Sequence, residues 1–279
     1  MIKACVIGWP IEHSRSPMIH GYWLRKHRIN GSYEKVAVAP EDIESFLSSL
    51  GAQGFAGCNV TLPHKEAALR AADNVHAAAR SIGAANTLWL SEDGRLEADN
   101  TDAYGFMTHL KESAPSLRLQ GATAMLLGAG GAARAILYGL QKAGVERIVI
   151  ANRTEARAAA LAEAFDHGLE TIAWDKAEGA LKDCDLLVNT TSLGMDGQPP
   201  LEMSLKTLPK ESVVADIVYT PLETPLLAEA RARGNACVDG LGMLLHQAVP
   251  GFERWFGVRP EVTKELRDLV VADLKVEDG

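Results

Sequence analysis

Hydrophobic positions along the 279-residue chain fall into two series of short β-type runs, separated by stretches with helical spacing. In the first series residues 4–7, 33–39 and 55–60 have the length and composition of strands. Helices are expected from Ser16 to about residue 27, over 41–50, and from Pro63 through Ala71. Ser16-Pro17 pairs a capping hydroxyl with a proline suited to the first helical position, and Gly51 is placed to stop the second helix. Residues 87–90 and 95–98 flank Asp93-Gly94, the chemistry of a tight hairpin turn. Strands joined through helices pair in parallel, so this half predicts an α/β layer with one antiparallel excursion.

Residues 101–112 predict a helix, and Ser113-Ala114-Pro115 after it breaks the pattern as a hinge between domains would. A second series starts at Ala122. Strand-type runs at 124–127, 147–151, 171–174, 185–189, 213–218 and 236–239, with helices over 132–143 and 154–165, predict a doubly wound parallel sheet. Two helices, 241–256 and 262–274, end the chain without a further strand.

Composition narrows the class. A chain of 279 residues, 47% apolar and 23% charged, is expected to fold into two globular domains and is not a disordered one. The net charge of −8 comes without any run of five Lys or Arg, so nucleic acid is not an expected partner. Cys5, Cys58, Cys184 and Cys237 are scattered, with no CxxC or Cys/His cluster. A reducing compartment is therefore expected, with neither a disulfide framework nor a metal site. The apolar run at the N-terminus is too short for a signal peptide and no apolar stretch approaches 18 residues, so a cytoplasmic protein without a membrane partner is expected.

Gly128-Ala129-Gly130-Gly131-Ala132-Ala133 lies between a predicted strand and a predicted helix, the setting a GxGxx(G/A) fingerprint requires. Gly128 permits the turn, Gly130 lets a pyrophosphate approach the backbone, and Ala133 allows close helix–sheet packing. The helix start offers unpaired N–H groups and partial positive charge to the phosphates. The next strand ends in Asn152-Arg153-Thr154, where a site for a free ribose 2′-hydroxyl would carry Asp or Glu. An amide, a guanidinium and a hydroxyl, with Arg157 one turn further on, suit a 2′-phosphate instead. The predicted cofactor is NADP.

Three segments of the first half combine reactive residue types with turns. Ser14 and Ser16 follow the first strand, and in an extended loop both hydroxyls would point the same way. His13 and His20, in the same segment, read as structural. Asn59, Thr61 and Lys65 follow the third strand, and ligands of open α/β sheets bind at such carboxyl ends. Lys65, one turn into a helix, opposes the dipole there and suits a group that gives and takes a proton. Asn86-Thr87 and Asn100-Thr101-Asp102 bracket the hairpin. Asp102 either caps the following helix or forms an acid–base pair with Lys65, and spacing along the chain leaves both open.

These motifs, taken in order, resemble the shikimate dehydrogenase family over nearly the whole chain. HSxSPxxH spans 13–20, NVTxPHK 59–65, GAxNT 83–87, NTD 100–102, GxGGxxR 128–134, NRT 152–154, NTTSxGM 189–195, DxxYxPxxTPLL 216–227 and DGxxMLxxQ 239–247. Two departures are small: the first motif ends His20-Gly21 where the family often has His-Asn, and Ala133 replaces the third glycine. The resemblance implies an α/β enzyme of two domains: an N-terminal substrate domain with a mainly parallel sheet (1–102 plus 241–279) and a Rossmann-like NADP-binding domain (103–240), the C-terminal helices packing back on the first. It implies NADPH-dependent, reversible reduction of 3-dehydroshikimate in aromatic amino-acid biosynthesis, by a monomer or homodimer. Ser14, Ser16, Asn59, Thr61, Lys65, Asn86, Asp102, Tyr219 and Gln247 would surround shikimate, with Lys65 and Asp102 catalytic. Gly128, Ala129, Gly130, Gly131, Ala132, Asn152, Arg153, Thr154 and Arg157 would contact NADP, together with Thr191, Met195, Ile217, Gly240 and Met243.

Rival readings remain at this stage. A quinate/shikimate dehydrogenase using NAD would carry an acidic residue after the second Rossmann strand and lack one of the serines, and neither holds here. An aminoshikimate dehydrogenase stays open. Glutamyl-tRNA reductase shares a glycine loop and an Asn-Arg-Thr-like segment but needs a nucleophilic cysteine, and the neighbours of Cys58 would not stabilise a thiolate. A nucleotide-sensing regulator without catalytic activity is the remaining alternative.

Overall fold

β1 (Ile2–Gly8), β2 (Gly31–Ala37), β3 (Phe55–Val60), β4 (Asn74–Val75), β5 (Thr87–Leu90) and β6 (Leu96–Asp99) form one sheet in the order β2-β1-β3-β5-β6-β4. Helices return the chain between the first three, α1 (Ser16–Lys26) and α2 (Ile43–Ser48), so β1 pairs in parallel with both neighbours. β5 runs antiparallel to β3 and β6, while β4 joins β6 in parallel. The computed structural model describes residues 1–165 and 168–277 and divides into two units, Met1–Asp102 with Leu245–Gly279, and Ala103–Leu244.

That topology sets one functional edge in the first unit. Because β5 opposes β3 and β6, the carboxyl ends of β1, β3 and β6 and the amino end of β5 lie along the same side, with Asn59 opposite Thr87 and Thr87 opposite Asp99. β1 is covered on both faces, as Ala4, Cys5, Val6 and Ile7 are each no more than 2% exposed. β4 and α4 (Ala77–Ile82) are too short to leave a periodic signal and were not expected. α3 (Lys65–Ala71) starts two residues later than the proline suggested, after a turn closed by His64 N–H on Thr61 O at 3.0 Å.

The last helices, α10 (Gly240–Phe256) and α11 (Lys264–Glu277), bring aromatic groups onto this unit from residue 245 onward. Trp255 Nε1 donates to Leu88 O at 2.9 Å in space that Gly57 leaves, where a Cβ would sit 2.2 Å from that nitrogen. Trp23 Nε1 donates to Glu261 O at 3.0 Å, and Arg15 Nε meets Asp273 Oδ2 at 3.2 Å. His20 lies fully buried among these rings, stacked on Tyr33 with centroids 3.9 Å apart. Burial of the imidazole pushes its pKa down to about 3. The Asn59 side chain pulls the other way, although neither ring nitrogen meets hydrogen-bond geometry.

The second unit holds β7 (Thr123–Leu127), β8 (Arg147–Asn152), β9 (Leu169–Ala173), β10 (Leu186–Asn189), β11 (Val213–Asp216) and β12 (Ala236–Val238). Every pairing is parallel and the order is β12-β11-β10-β7-β8-β9, so the direction of winding reverses beside β7. α5 (Asp102–Ser113), α6 (Gly131–Lys142), α7 (Glu155–Ala164), α8 (Ala177–Ala180) and α9 (Pro225–Arg233) connect these strands; α8 and α9 had no counterpart in the sequence reading. Alternate residues of β7 serve two cores: Ala124 and Leu126 pack with Ile136, Leu140 and Ile150, and Met125 and Leu127 with Val149, Leu187 and Leu226. The expected hinge at 113–115 is wrong. The chain passes between units within α5 and α10, whereas Ala114, 3% exposed, is part of the second unit's core.

Candidate active site

Lys65 is the first residue of α3, not one turn into it, and Asp102 begins α5. Although 37 residues separate them, Lys65 Nζ lies 2.6 Å from Asp102 Oδ2, with the side chains 27% and 13% exposed. The helix-capping alternative for Asp102 falls away, because its carboxylate faces Lys65 and Asn86. The local N–H of Asp102 is taken by Asn100 Oδ1 at 3.0 Å. Asn86 Nδ2 donates to Asp102 Oδ1 at 2.8 Å and approaches Gln247 Oε1 at 3.5 Å. Its Oδ1 accepts from the Thr101 N–H (2.8 Å) and from the hydroxyls of Thr101 (3.1 Å) and Thr87 (3.0 Å). Asp102 therefore keeps two donors in fixed directions.

Asn59 is 5% exposed and its amide is fully used: Nδ2 donates to Asn86 O (3.1 Å) and Thr87 Oγ1 (3.2 Å), and Oδ1 accepts the Tyr33 hydroxyl (2.6 Å). It braces Asn86 and has no amide hydrogen left for a ligand. Thr87, Thr101 and Tyr33 complete this brace. The sequence carried two of them inside quoted motifs but gave no sign of what they touch.

Ser14 and Ser16 do not alternate along an extended loop. Arg15 between them adopts φ −94°, ψ 0°, and its carbonyl accepts the Met18 and Ile19 N–H groups, which makes Arg15 and not Ser16 the capping position of α1. Ser14 Oγ accepts the Ser16 N–H at 3.4 Å. Thr61 holds the end of β3 beside β1, its N–H on Ile7 O at 2.9 Å, and its methyl fills the space over Gly8. Both segments sit at carboxyl ends of adjacent parallel strands. Tyr219 belongs to the other unit. Cys58 is fully buried, so no thiol nucleophile is presented at this edge.

In the second unit the fingerprint loop follows β7. Gly128 has φ +106°, and a Cβ there would lie 2.8 Å from Thr190 Oγ1 and from Thr191 Cγ2. Gly130 and Gly131 have no neighbour within 4 Å of such an atom, and no side chain caps α6 at Gly130, so the loop from Ala129 to Ala132 is uncrowded and the first N–H groups of α6 take no side-chain cap there. Asn152 Nδ2 donates to Thr154 O at 2.7 Å, while Thr154, at the capping position of α7, makes no side-chain cap bond. Arg153 and Arg157 are exposed, and among the described residues neither guanidinium enters an ion pair. This open cradle followed by two uncommitted cations fits a pyrophosphate and a ribose phosphate.

Thr191 and Met195 follow β10, Ile217 and Tyr219 follow β11, and Gly240 and Met243 follow β12, all on the carboxyl side of the same parallel sheet. Asn189, Asp216 and Thr224 tie these loops together, a role the sequence reading missed because Asn189 lies in a different motif from Asp216 and Thr224, and a motif does not show which side chains meet.

Known proteins share this arrangement. The family description "Shikimate dehydrogenase substrate binding domain" matches residues 6–88, "Shikimate / quinate 5-dehydrogenase" matches 110–197, and "Shikimate 5'-dehydrogenase C-terminal domain" matches 240–264. The shikimate dehydrogenase (NADP(+)) of Methylobacterium radiotolerans is 57% identical over 98% of this chain and 97% of its own. That of Azorhizobium caulinodans is 54% identical over the same shares. The crystal structure of shikimate 5-dehydrogenase from Thermus thermophilus, in complex with NADP(H) and shikimate, superposes with a TM-score of 0.85 at 38% identity, covering 98% of this chain and 100% of that one. With its two sheets, its paired lysine and aspartate and its glycine cradle, the chain belongs to the shikimate dehydrogenase family.

Proposed function

We propose that this protein catalyses the reversible, NADP-dependent reduction of 3-dehydroshikimate to shikimate, with Lys65 and Asp102 as its catalytic pair. The observation that carries the reading is the 2.6 Å contact between Lys65 and Asp102 at the functional edge of the first unit. NADP, when bound, supplies or accepts the hydride at the carbinol carbon of the substrate. Lys65 Nζ gives the proton to the substrate oxygen in reduction and takes it back in oxidation, and Asp102 holds the ammonium in place and balances its charge. Asn86, locked by Thr87 and Thr101, keeps Asp102 aimed. Ser14, Ser16, Thr61 and Gln247 offer short or uncharged hydrogen-bonding groups to the carboxylate and hydroxyls, and Asn59 serves by bracing Asn86. Such a site rejects analogues that leave its polar groups unpaired, by up to ~10⁴-fold.

Gly128 to Ala132 cradle the pyrophosphate, Asn152 to Thr154 with Arg157 receive the 2′-phosphate, and Thr191, Met195, Ile217, Gly240 and Met243 border the nicotinamide half. The substrate domain is then residues 1–102 with the chain from Leu245 onward, and the NADP domain is residues 103–244, a boundary four residues later than the sequence suggested at 241. A cytoplasmic setting and a monomer or homodimer belong to the same reading, and the free thiols of Cys5, Cys58, Cys184 and Cys237 are in keeping with a reducing compartment. Steady-state oxidation of shikimate and of quinate, each with NADP and with NAD, tests the reading. Turnover of shikimate with NADP should dominate, and failure to turn over shikimate with either nucleotide would refute it.

A further inference from the structure

Asn189 and Asp216 end neighbouring strands and face each other in register. Asp216 is 2% exposed, yet three donors converge on its carboxylate. Asn189 Nδ2 (2.9 Å) and the Val218 N–H (3.0 Å) reach Oδ1, and the Thr224 hydroxyl (2.8 Å) reaches Oδ2. Asn189 extends the order further. Its Oδ1 accepts the N–H and the hydroxyl of Thr191 at 3.0 and 2.7 Å, and its Nδ2 also donates to Leu193 O at 3.1 Å. Thr224 Oγ1 accepts the Leu227 N–H at 3.3 Å, which starts α9. One buried group thus fixes the loop after β10, the loop after β11 and the first turn of α9.

An ionised carboxylate accepts from all three at once, whereas an amide or a protonated carboxyl brings a hydrogen of its own, which only the Thr224 hydroxyl, by giving up its donor role, could receive. Burial works against ionisation and pushes the Asp216 pKa up to about 6, in spite of those three bonds. The groups that face it are Asn189 from β10, Val218 from its own loop and Thr224 from the turn before α9. None of these titrates, and no charged side chain among the described residues bears on it.

We propose that Asp216 is a positioning residue for NADP: in its ionised form it holds Thr191 and Ile217, with the loops that carry them, in the arrangement that receives the cofactor. The proposal rests on the reading of those loops as cofactor contacts. It assigns to a buried residue a gain in NADP affinity as pH rises from 5 to 8, while shikimate binding is untouched.

The test compares full-length wild type with Asp216→Asn, Thr224→Val and Thr224→Ser. NADP dissociation constants are measured by calorimetric titration between pH 5 and 8, and the KM for shikimate at saturating NADP. At pH 8 Asp216→Asn should weaken NADP binding by about tenfold or more and leave the shikimate KM within about threefold of wild type. The ratio of variant to wild-type dissociation constants should shrink toward pH 5, where wild type loses the same charge. The 2′-phosphate titrates alike with every protein and cancels in that ratio. Thr224→Val should weaken NADP severalfold and Thr224→Ser should restore it. Wild-type NADP affinity in Asp216→Asn at pH 8, or a ratio independent of pH, overturns the proposal. If Asp216→Asn does not fold, unchanged NADP affinity in Thr224→Val overturns it. A wild type that binds no NADP would sink the functional reading itself, and the proposal with it.

Discussion

Replacing Lys65 by arginine and by alanine separates the two things its contact with Asp102 does. Nζ and Oδ2 are 2.6 Å apart and the side chains are 27% and 13% exposed, so the pair is screened but not fully solvated. Alanine removes one of the two donors on Asp102 and leaves Asn86 Nδ2 at 2.8 Å, so the carboxylate is not orphaned. The stability cost is about 1–2 kcal/mol, a fall in Tm of a few degrees for a domain of this size. Loss of a proton-transfer group removes about 10²–10⁴ from the rate, or ~3–5 kcal/mol on the barrier. The kinetic effect is the larger, so kcat should collapse in a protein that is still folded. Arginine restores the cation and with it most of the Tm, but a guanidinium does not release its proton near neutral pH, so kcat stays low. Initial rates of NADPH formation from shikimate give kcat and KM, and differential scanning calorimetry gives Tm. KM for shikimate should stay within about threefold in both variants. A Lys65→Arg or Lys65→Ala enzyme with kcat within about tenfold of wild type would remove Lys65 from the proton transfer.

Arg153→Ala with Arg157→Ala should raise the KM for NADP by about tenfold to a hundredfold and leave the KM for NAD nearly unchanged, since only the 2′-phosphate meets those cations; equal losses with both nucleotides would contradict this. Gly128→Ala forces a Cβ to 2.8 Å from Thr190 and Thr191 at φ +106°, so fluorescence titration should show NADP affinity down by about tenfold or more, and urea melts a loss of about 1–3 kcal/mol. His20 supplies a pH dependence of folding. Its pKa is about 3 in the folded protein against 6.5 when exposed, so the unfolded state binds the extra proton and stability is lost as pH falls below 6.5. Urea unfolding of wild type should thus lose about 2 kcal/mol between pH 7 and pH 5 relative to His20→Phe, which keeps the stack on Tyr33; parallel pH profiles for the two proteins would exclude His20 as the source.

Much of the architecture was legible because its causes are local. The runs at 124–127, 147–151 and 185–189 became β7, β8 and β10 with shifts of one residue at a boundary, as apolar β-type segments between helices permit few other outcomes. The glycine loop was legible for the same reason: the backbone at Gly128 needs a positive φ, which glycine alone adopts without strain. Elements shorter than about two turns, β4, α4 and α8, left no period to read. Ser16 had the chemistry of a cap, but the carbonyl of Arg15 receives the first helical bonds, and a sidechain preference of about 1 kcal/mol does not decide a boundary that Arg15, buried and bound to Asp273, also holds. Ala114-Pro115 had the composition of a hinge, and packing against the second unit's core made it part of that unit.

The chain by itself therefore determined which chemistry is available: an amine, a carboxylate, short hydroxyls, a turn that only glycine can make, and two arginines where an acid would select a different nucleotide. The folded state decided which of these meet. β5 runs against both β3 and β6, and that pairing brings Lys65 and Asp102 within 2.6 Å and turns Asn59 from a ligand candidate into a brace, while α10 seals His20 among aromatic rings. Patterns along a chain report interactions over a few residues. Contacts across 37 residues, or the three donors gathered on Asp216 from β10 and from the loop after β11, depend on strand register and burial, which exist only once the sheets have formed.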